Sequence, residues 1–312
     1  MILVIQKPID EPYQNLENKM IIIRMSGGLG NQMFQYALYL KFKSMGTEVY
    51  MEDYSQYSGN NSFRDIQLDA FGISYDRVSA DKYYEYTDLY PGLKNKLRRK
   101  LFGRKSREYE EKICTFDKNV LNQNDSIIYG YYQSEKYFED IKDKVINSFK
   151  FLPEISKKAE EILAKCVKFS EEDNLVSIHI RRGDYLDFEP IYGNICTDKY
   201  YEKAINYILD RIKNPVFIVI TNDEKWAVEW IKKYVAQGLK MYVINGISEQ
   251  EGYLDMCVMT KCEHNILANS SFSWWGAYLN SNPQKLVLAP SKWLNTHDNN
   301  DIYTKEMIKI YE

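Results

Sequence analysis

Short apolar runs alternate with longer amphipathic stretches along this chain. Residues 20–25, MIIIRM, predict a buried strand that ends at a glycine-rich turn, and the stretch from that turn to Gly46 predicts a helix. Residues 47–51 predict a second strand. A strand, a tight turn, a helix and another strand together are the opening of a parallel α/β unit.

The second half of the chain repeats this alternation with longer apolar runs. The predicted strands cover residues 175–180, 215–221, 240–244, 264–268 and 285–290, and the predicted helices cover residues 199–213, 224–234, 248–261 and a stretch from Ser273. Strands so continuously apolar are buried on both faces of a parallel sheet. The sequence therefore predicts an α/β fold of two domains, residues 1–150 and 151–312.

The composition is that of an ordinary globular protein. A length of 312 residues fits about two domains. The chain has 41 Lys and Arg against 44 Asp and Glu, a formal net charge of −3, and 45% hydrophobic residues. This balance argues against disorder and against nucleic acid as a general partner.

Cysteine usage and the apolar runs bear on the compartment. The five cysteines form no CxxC pair, which predicts reduced thiols in the cytoplasm. No run of about 18 apolar residues predicts a membrane span. The N-terminus has neither a basic segment nor an apolar run long enough to predict export.

A basic segment interrupts the first half of the chain. Residues 94–107 contain eight Lys or Arg in fourteen positions and no acidic residue. Such a segment marks a linker, an insertion or a binding surface. One interpretation is a peripheral contact with an anionic membrane at the inner face, or with a lipid-linked acceptor. The alternative is a solvated surface helix.

The first candidate site is the glycine-rich turn, where Gly28 and Gly30 would let a ligand approach the backbone at a helix N-terminus. The alternative is a tight turn that only packs the helix on the sheet. Glu52 and Asp53 follow the second strand, as in a dinucleotide-binding fingerprint, so an NAD-dependent oxidoreductase is a competing hypothesis. Met33, however, stands where the third glycine of that fingerprint should be.

The second candidate site is the segment SIHIRRGDY, residues 177–185, at the end of a buried strand. His179 and Arg181 share one side of the extended strand. A guanidinium group in that place needs a carboxylate or a phosphate, and its planar fork binds either one. The alternatives are an arginine ion pair with Asp184 and a hydrogen-bonded core histidine. The chain has three histidines, none near another in sequence, and so predicts no histidine-rich metal site.

The third candidate site combines Asp255 with the hydroxyl-rich turn of residues 269–276, NSSFSWWG. Ser270 and Ser271 open a helix at the end of a buried strand, which suits both a helix cap and an anion site. Trp274 and Trp275 are expected in the core. No Asp-x-Asp pair and no P-loop motif occurs, so arginine and N–H groups must neutralise any leaving diphosphate.

Four segments in order, GGLGNQMFQYA at 27–37, HIRRGDY at 179–185, ITND at 220–223 and NSSFSWWGAYL at 269–279, resemble the bacterial α-1,2-fucosyltransferases of glycosyltransferase family 11. The resemblance covers most of the chain. It implies two Rossmann-like domains facing a central cleft, the GT-B arrangement. It also implies GDP-L-fucose as donor, inversion at the anomeric carbon, no required metal or cofactor, and a galactose-terminated glycan acceptor that is fucosylated at O2.

The resemblance also implies roles for particular residues. Arg181 matches the family arginine on the donor β-phosphate, Asp255 a guanine-reading carboxylate, and Ser271 a serine on the same phosphate. Asn31 matches an asparagine beside the reacting centre in distant protein O-fucosyltransferases. The full set of expected donor-binding residues is Gly28, Gly30, His179, Arg181, Asn222, Asp255, Ser270 and Ser271.

A mechanism follows from these roles as a hypothesis. Negative charge grows on the β-phosphate as its bond to fucose breaks, so a fixed Arg181 stabilises the transition state more than the ground state. Asp184 and Glu189 are the expected candidates for the base that takes the acceptor proton, and the catalytic set is Arg181, Asp184 and Asn31. A binding protein that has lost catalysis is a further alternative.

Overall fold

Two parallel β-sheets, one in each half of the chain, carry the fold. The computed structural model describes residues 19–57, 65–183 and 189–312. The first half contains strands β1 (Met20–Arg24), β2 (Glu48–Glu52), β3 (Glu108–Glu110) and β4 (Ser126–Tyr129). Its helices are α1 (Leu29–Ser44), α2 (Ala80–Thr87), α3 (Leu93–Phe102) and α4 (Lys142–Ser148). The strand order is β2-β1-β4-β3, with every pair parallel.

The second half is built around a larger sheet. Its strands are β5 (Asn174–Ile180), β6 (Pro215–Thr221), β7 (Lys240–Val243), β8 (His264–Ile266), β9 (Val287–Pro290) and β10 (Met307–Ile310). Its helices are α5 (Pro153–Cys166), α6 (Glu189–Tyr192), α7 (Asp198–Leu209), α8 (Glu224–Val235), α9 (Gly252–Thr260) and α10 (Ser271–Tyr278). The order is β10-β9-β8-β5-β6-β7, again parallel throughout.

The central strands are buried as their composition predicts. Ile21, Ile22 and Ile23 of β1 are all fully buried, and β5 is buried from its second residue onward. Parallel strands covered by helices on both faces require such continuous apolar runs. The predicted α/β class with two facing parallel-sheet domains is therefore confirmed, while the boundary near residue 150 stays a prediction.

The two halves share a core that links α1 to α10. The ring of Phe34 lies 4.6 Å from Trp274 and 4.9 Å from Trp275, measured between centroids. Both tryptophans are fully buried, as predicted, and the indole N–H of Trp274 donates to the carbonyl of Ile302 at 2.7 Å. This packing holds the N-termini of α1 and α10 against each other, between the two sheets.

Strands β3, β4 and β10 and helices α2, α4 and α5 were not predicted from the sequence. The three strands are only three or four residues long, so their apolar pattern is too short to be distinctive. The basic segment forms α3 and the loop that leads to β3. Among the described residues, no helix combines the length and the apolar character needed to cross a membrane.

Candidate active site

A cavity of about 560 Å³ lies between the two halves. Its walls are formed at the carboxyl ends of β1, β5 and β6 and at the N-termini of α1 and α10. Parallel α/β sheets bind ligands at the carboxyl ends of their strands, because helix N-termini and loops converge there. The size and position of the cavity are typical of a small-molecule binding site.

Almost every residue predicted for the site lines this cavity. The lining residues include Gly28, Gly30, Asn31, His179, Arg181, Asn222, Asp255, Ser270 and Ser271. They come from positions up to 243 residues apart in sequence. The sheet of the second half brings six of them together, and the packing of α1 on α10 adds Gly28, Gly30 and Asn31. Asp184, the remaining predicted residue, lies outside the described residues. The roles given to all these residues stay predictions.

Two buried glutamines of α1, which the sequence analysis missed, fix the glycine turn. The Gln32 side-chain N–H₂ donates to the carbonyls of Gly27 and Asp65 at 3.0 and 2.8 Å. The Gln35 side chain accepts from the backbone N–H of Ser26 at 3.0 Å. Both glutamines are fully buried, an unusual state for an amide side chain. The sequence offered one signal for this role. The two glutamines are three residues apart, which places them on the same side of the first turns of α1.

Gly30 lets the two helices touch. A Cβ atom at Gly30 would lie 2.5 Å from the carbonyl carbon of Ser271 and 2.6 Å from the backbone nitrogen of Phe272. Beside it, the Asn31 Oδ1 accepts from Ser271 Oγ at 2.7 Å and from Gln133 Nε2 at 2.8 Å. Gly30 thus has a packing role at the edge of the cavity, and Asn31 ties the two halves together.

Gly30→Ala is expected to lower the free energy of unfolding by about 2 kcal/mol or more, because backbone atoms cannot yield to the added methyl group. Thermal and urea unfolding measure the change. The control is Gly252→Ala in the same cavity wall, where a Cβ would find its nearest neighbour at 3.8 Å. Equal melting of the two variants would contradict the close-packing interpretation.

Both acidic residues of the dinucleotide hypothesis, Glu52 and Asp53, are bound by other side chains of the protein. Glu52 is fully buried, and its carboxylate accepts from the N–H and the hydroxyl of Ser55, both at 2.6 Å. Arg24 adds an ion pair at 3.4 Å. The buried Asp53 carboxylate pairs with Arg77 at 2.7 Å. Carboxylates bound in this way are not available to a ribose hydroxyl, so the geometry disfavours the oxidoreductase hypothesis.

The end of β5 places a neutral histidine beside an arginine at the cavity. His179 is 4% exposed, and its ring lies 5.4 Å from the ring of Phe272. Burial and the neighbouring Arg181 charge lower the pKa of His179 to about 3, so the ring is uncharged. Within the described residues its buried Nδ1 has no hydrogen-bond partner.

Arg182 points away from the cavity and has a structural role. Its Nε lies 3.2 Å from a carboxylate oxygen of Asp223, and its guanidinium carbon lies 4.2 Å from the ring centroid of Trp226. Its backbone N–H donates to Asn222 Oδ1 at 2.9 Å. The Asn222 side chain therefore holds the turn after β5, although the residue also lines the cavity.

Asp255 presents a carboxyl group to the cavity from the first turn of α9. Within the described part of the chain, no hydrogen bond or ion pair engages that group. Burial raises the pKa of Asp255 to about 7, and the nearby Glu224 carboxylate acts in the same direction. A carboxyl group perturbed in this way at the wall of a cleft is typical of a functional site.

The serine turn supports both of its predicted interpretations. Ser270 is the N-cap of α10, and its Oγ accepts from the backbone N–H of Phe272 at 3.3 Å. Ser271 Oγ donates to Asn31 instead of capping the helix. The positive end of α10 therefore faces the cavity beside Arg181, where a phosphate would be stabilised.

The N-terminal wall contains residues that no sequence motif indicated. Asp65 lines the cavity, and it and Asp255 are the carboxyl groups among the described lining residues. Gln67 also belongs to this wall and donates to the carbonyl of Gln250 in the other half at 3.0 Å. Glu189, an expected base, does not line the cavity, because its carboxylate accepts from the Asn194 side chain in its own turn.

The residues present do not form an evident metal centre. Across residues 19–57, 65–183 and 189–312, no group of three or more His, Cys, Asp and Glu side chains converges on one point. Among the described lining residues Arg181 is the cationic side chain, and the N-termini of α1 and α10 add the positive ends of two helix dipoles. The expectation of a metal-free reaction stays a prediction.

Comparison with known proteins identifies the family to which this sequence is similar. Residues 106–311 match the model of glycosyl transferase family 11. The O-antigen biosynthesis glycosyltransferase WbnK of Escherichia coli is 33% identical, over 86% of this chain and 93% of that protein. An alpha-1,2-colitosyltransferase of Escherichia coli is 30% identical, over 90% of this chain and 94% of that protein.

A more distant similarity reaches a mammalian enzyme. The galactoside alpha-(1,2)-fucosyltransferase 2 of Rattus norvegicus is 29% identical, over 48% of this chain and 42% of that protein. The two bacterial relatives, in contrast, match nearly end to end.

Proposed function

This chain belongs to glycosyl transferase family 11, and on that premise we propose that it transfers L-fucose from GDP-β-L-fucose to O2 of a terminal β-galactoside, in a surface polysaccharide or oligosaccharide. The observation that carries the proposal is the cavity between the halves, where Arg181, Asp255 and the N-terminus of α10 converge. These are the groups that a guanosine diphosphate requires. The fucosyl and colitosyl relatives support a deoxysugar donor.

The proposed reaction is a single displacement with inversion. The acceptor O2 attacks the anomeric carbon from the face opposite the diphosphate, the bond from that carbon to the phosphate oxygen breaks, and GDP leaves with the electron pair. The β-linked donor therefore becomes an α-linked product. We propose that Arg181 and the N-terminus of α10 neutralise the charge that grows on the β-phosphate, with no metal ion required.

Asp255 is proposed to read the guanine base. An ionised carboxylate accepts two hydrogen bonds side by side, which matches the N1–H and the 2-amino group of guanine. Adenine presents no such pair of donors on that edge. The absence of a protein partner for this carboxyl group among the described residues supports the assignment.

The proton of the acceptor hydroxyl requires a base on the acceptor side. Asp184 stays a prediction outside the described residues, and Glu189 is bound within its own turn. We propose Asp65 for this role, because it brings a carboxyl group from the N-terminal half to the wall of the cavity.

Asp65→Asn is expected to lower kcat by roughly 10²-fold, the lower range of general base catalysis, with GDP affinity unchanged. Initial rates at saturating donor and a calorimetric titration with GDP measure the two quantities. Asp69→Asn, on the neighbouring turn and outside the cavity, is the control. A proportional loss of GDP binding in Asp65→Asn would assign the carboxylate to the donor instead.

The donor proposal is tested by calorimetric titration with GDP, with and without EDTA, and with NAD as the comparison. We expect GDP to bind equally in both conditions and NAD not to bind. GDP-fucose and a GDP-linked colitose are then offered with β-galactoside acceptors. GDP binding without transfer would favour the binding-protein alternative, and loss of GDP binding in EDTA would contradict the metal-free mechanism.

The proposed compartment is the cytoplasm. All five cysteines are free thiols, and two of them, Cys257 and Cys262, are buried in the core. Unpaired cysteines are typical of proteins in a reducing compartment. In intact bacterial spheroplasts the protein should resist added protease, and digestion before lysis would contradict this placement.

A further inference from the structure

Helix α3 exposes its apolar side. Leu93 is 85% exposed, Leu97 58% and Leu101 67%, and Phe102 at the end of the helix is 76% exposed. No residue of α3 is buried. Surface helices normally turn such a stripe towards the core, because burying leucine side chains stabilises the fold. This helix therefore leaves its apolar stripe uncovered within the described chain.

The cationic residues of α3 are arranged around this stripe. At about 100° per residue, Leu93, Leu97 and Leu101 fall within an arc of about 80°. Lys94 and Lys100 lie about 60° to either side of its centre. The helix thus presents a leucine stripe with the ammonium group of Lys94 on one side and those of Lys96 and Lys100 on the other.

The opposite side of the helix fixes this orientation. Arg98 forms an ion pair with the Asp88 carboxylate. Arg99 Nη1 donates to the backbone carbonyls of Asp88 and Tyr90 at 3.0 and 2.9 Å. Both arginines point to the body of the protein, so the leucines cannot turn inward without breaking these contacts.

The lysines of α3 have no comparable partners. Within the described residues, Lys94, Lys96 and Lys100 take part in no ion pair, whereas Arg98 does. The whole chain carries a net charge of −3, although residues 94–107 alone contain eight basic residues and no acidic one. The positive charge is therefore concentrated around the leucine stripe, on a protein that is otherwise acidic.

We propose that α3 docks the protein on the surface of an anionic lipid bilayer. The leucines would enter the boundary between headgroups and acyl chains, and the lysines would extend to the lipid phosphates beside them. Charge complementarity favours anionic lipid. A symmetric dimer through the same stripe would instead bring the lysines of two α3 helices against each other, and like charges repel. Neither the insertion of apolar side chains nor the attraction to anionic lipids gives firm binding by itself, and α3 combines the two contributions.

Vesicle flotation of the intact protein tests the proposal without donor or acceptor, so its outcome is independent of the proposed transfer reaction. The probes are vesicles of phosphatidylcholine alone and of phosphatidylcholine mixed with phosphatidylglycerol. We expect the protein to bind the mixed vesicles, and we expect its binding to the neutral vesicles to be weaker by about 10-fold or more. High salt should weaken only the binding to mixed vesicles.

Two sets of variants separate the two contributions. Leu97→Ser with Leu101→Ser should weaken binding to mixed vesicles by at least about 10-fold. Replacing Lys94, Lys96 and Lys100 with Gln should weaken it by about 5-fold per lysine, from roughly 1 kcal/mol per basic residue near an anionic surface. Because all five side chains are on the surface, melting temperatures should stay close to that of the unchanged protein.

The matched control is Leu209→Ser with Val235→Ser, which removes two exposed apolar side chains from other helices. Its binding should equal that of the unchanged protein. Equal binding to neutral and anionic vesicles, or no effect of the leucine substitutions, would overturn the proposal. So would a dimer in light scattering that the leucine substitutions dissociate, since the stripe would then be a contact between copies.

Discussion

Replacing Arg181 with alanine is expected to reduce the rate of sugar transfer by roughly 10³-fold, with the fold intact. The guanidinium group lines the cavity at the end of β5, next to the start of α10. Charge on the β-phosphate increases as the sugar departs, so the interaction strengthens towards the transition state. The fall should therefore appear in kcat more than in GDP affinity, as measured by initial rates and calorimetry.

Arg182→Ala is the matched control for this prediction. The neighbouring arginine pairs with Asp223 and stacks on Trp226, outside the cavity. Its loss should lower the melting temperature slightly and leave kcat within a few-fold of the unchanged protein. Arg181→Lys should restore only part of the rate, because an ammonium group lacks the planar fork that binds phosphate in two places. Full activity in Arg181→Ala would exclude the phosphate role.

Asp255→Asn is expected to weaken GDP binding by about 10- to 100-fold, the usual cost of losing hydrogen bonds to a charged group. The unchanged protein should prefer GDP to inosine diphosphate, which lacks the 2-amino group, and the variant should lose that preference. Calorimetric titration with both nucleotides measures this. Glu251→Gln, whose carboxylate pairs with Lys158 at 2.6 Å, is the control and should bind GDP normally.

The perturbed carboxyl group also makes GDP binding depend on pH. The pKa of Asp255 is raised to about 7, so the group is protonated below that pH in the empty cavity. Only the ionised form accepts both guanine hydrogen bonds, and the affinity should fall by about tenfold for each pH unit below the pKa. Asp255→Asn should show no such slope. A slope that persists in the variant would assign it to another group.

Stability should change in the opposite direction. An aspartate in an unfolded chain titrates near pH ~4, whereas Asp255 in the fold titrates at about 7. The folded state therefore holds the proton more tightly, and stability falls as the pH rises from the lower value to the higher. Above pH 7, Asp255→Asn should melt at a higher temperature than the unchanged protein. A gain in stability with a loss of binding is typical of a functional residue.

Much of the site could be predicted from the chain because its signals are local. Three local patterns each predict where a ligand can bind. They are a glycine turn after a buried strand, an arginine at the end of another strand, and a serine-rich start of a helix. Nine of the predicted residues line one cavity. The fold brings these residues to one cavity, and the roles given to them stay predictions.

Other features depend on residues far apart in the sequence. The hydrogen bond from Ser271 to Asn31 joins positions 240 residues apart, and it gives Asn31 a bridging role that its motif did not show. Asp65 lines the cavity only because its loop lies beside the glycine turn, where Gln32 holds its carbonyl. Glu52 was assigned to a nucleotide in one hypothesis, and the fold directs it to Ser55 instead.

The sequence by itself determined the α/β class, the buried central strands and the basic character of residues 94–107, since apolar periodicity and charge clustering are properties of neighbouring residues. Only the tertiary structure decided which polar groups face the cavity and which are bound elsewhere. It also showed that the leucines of α3 point outward, because Arg98 and Arg99 hold the other side of the helix. The hydrogen-bond and ion-pair partners of polar side chains depend on the tertiary structure, and no local sequence pattern specifies them.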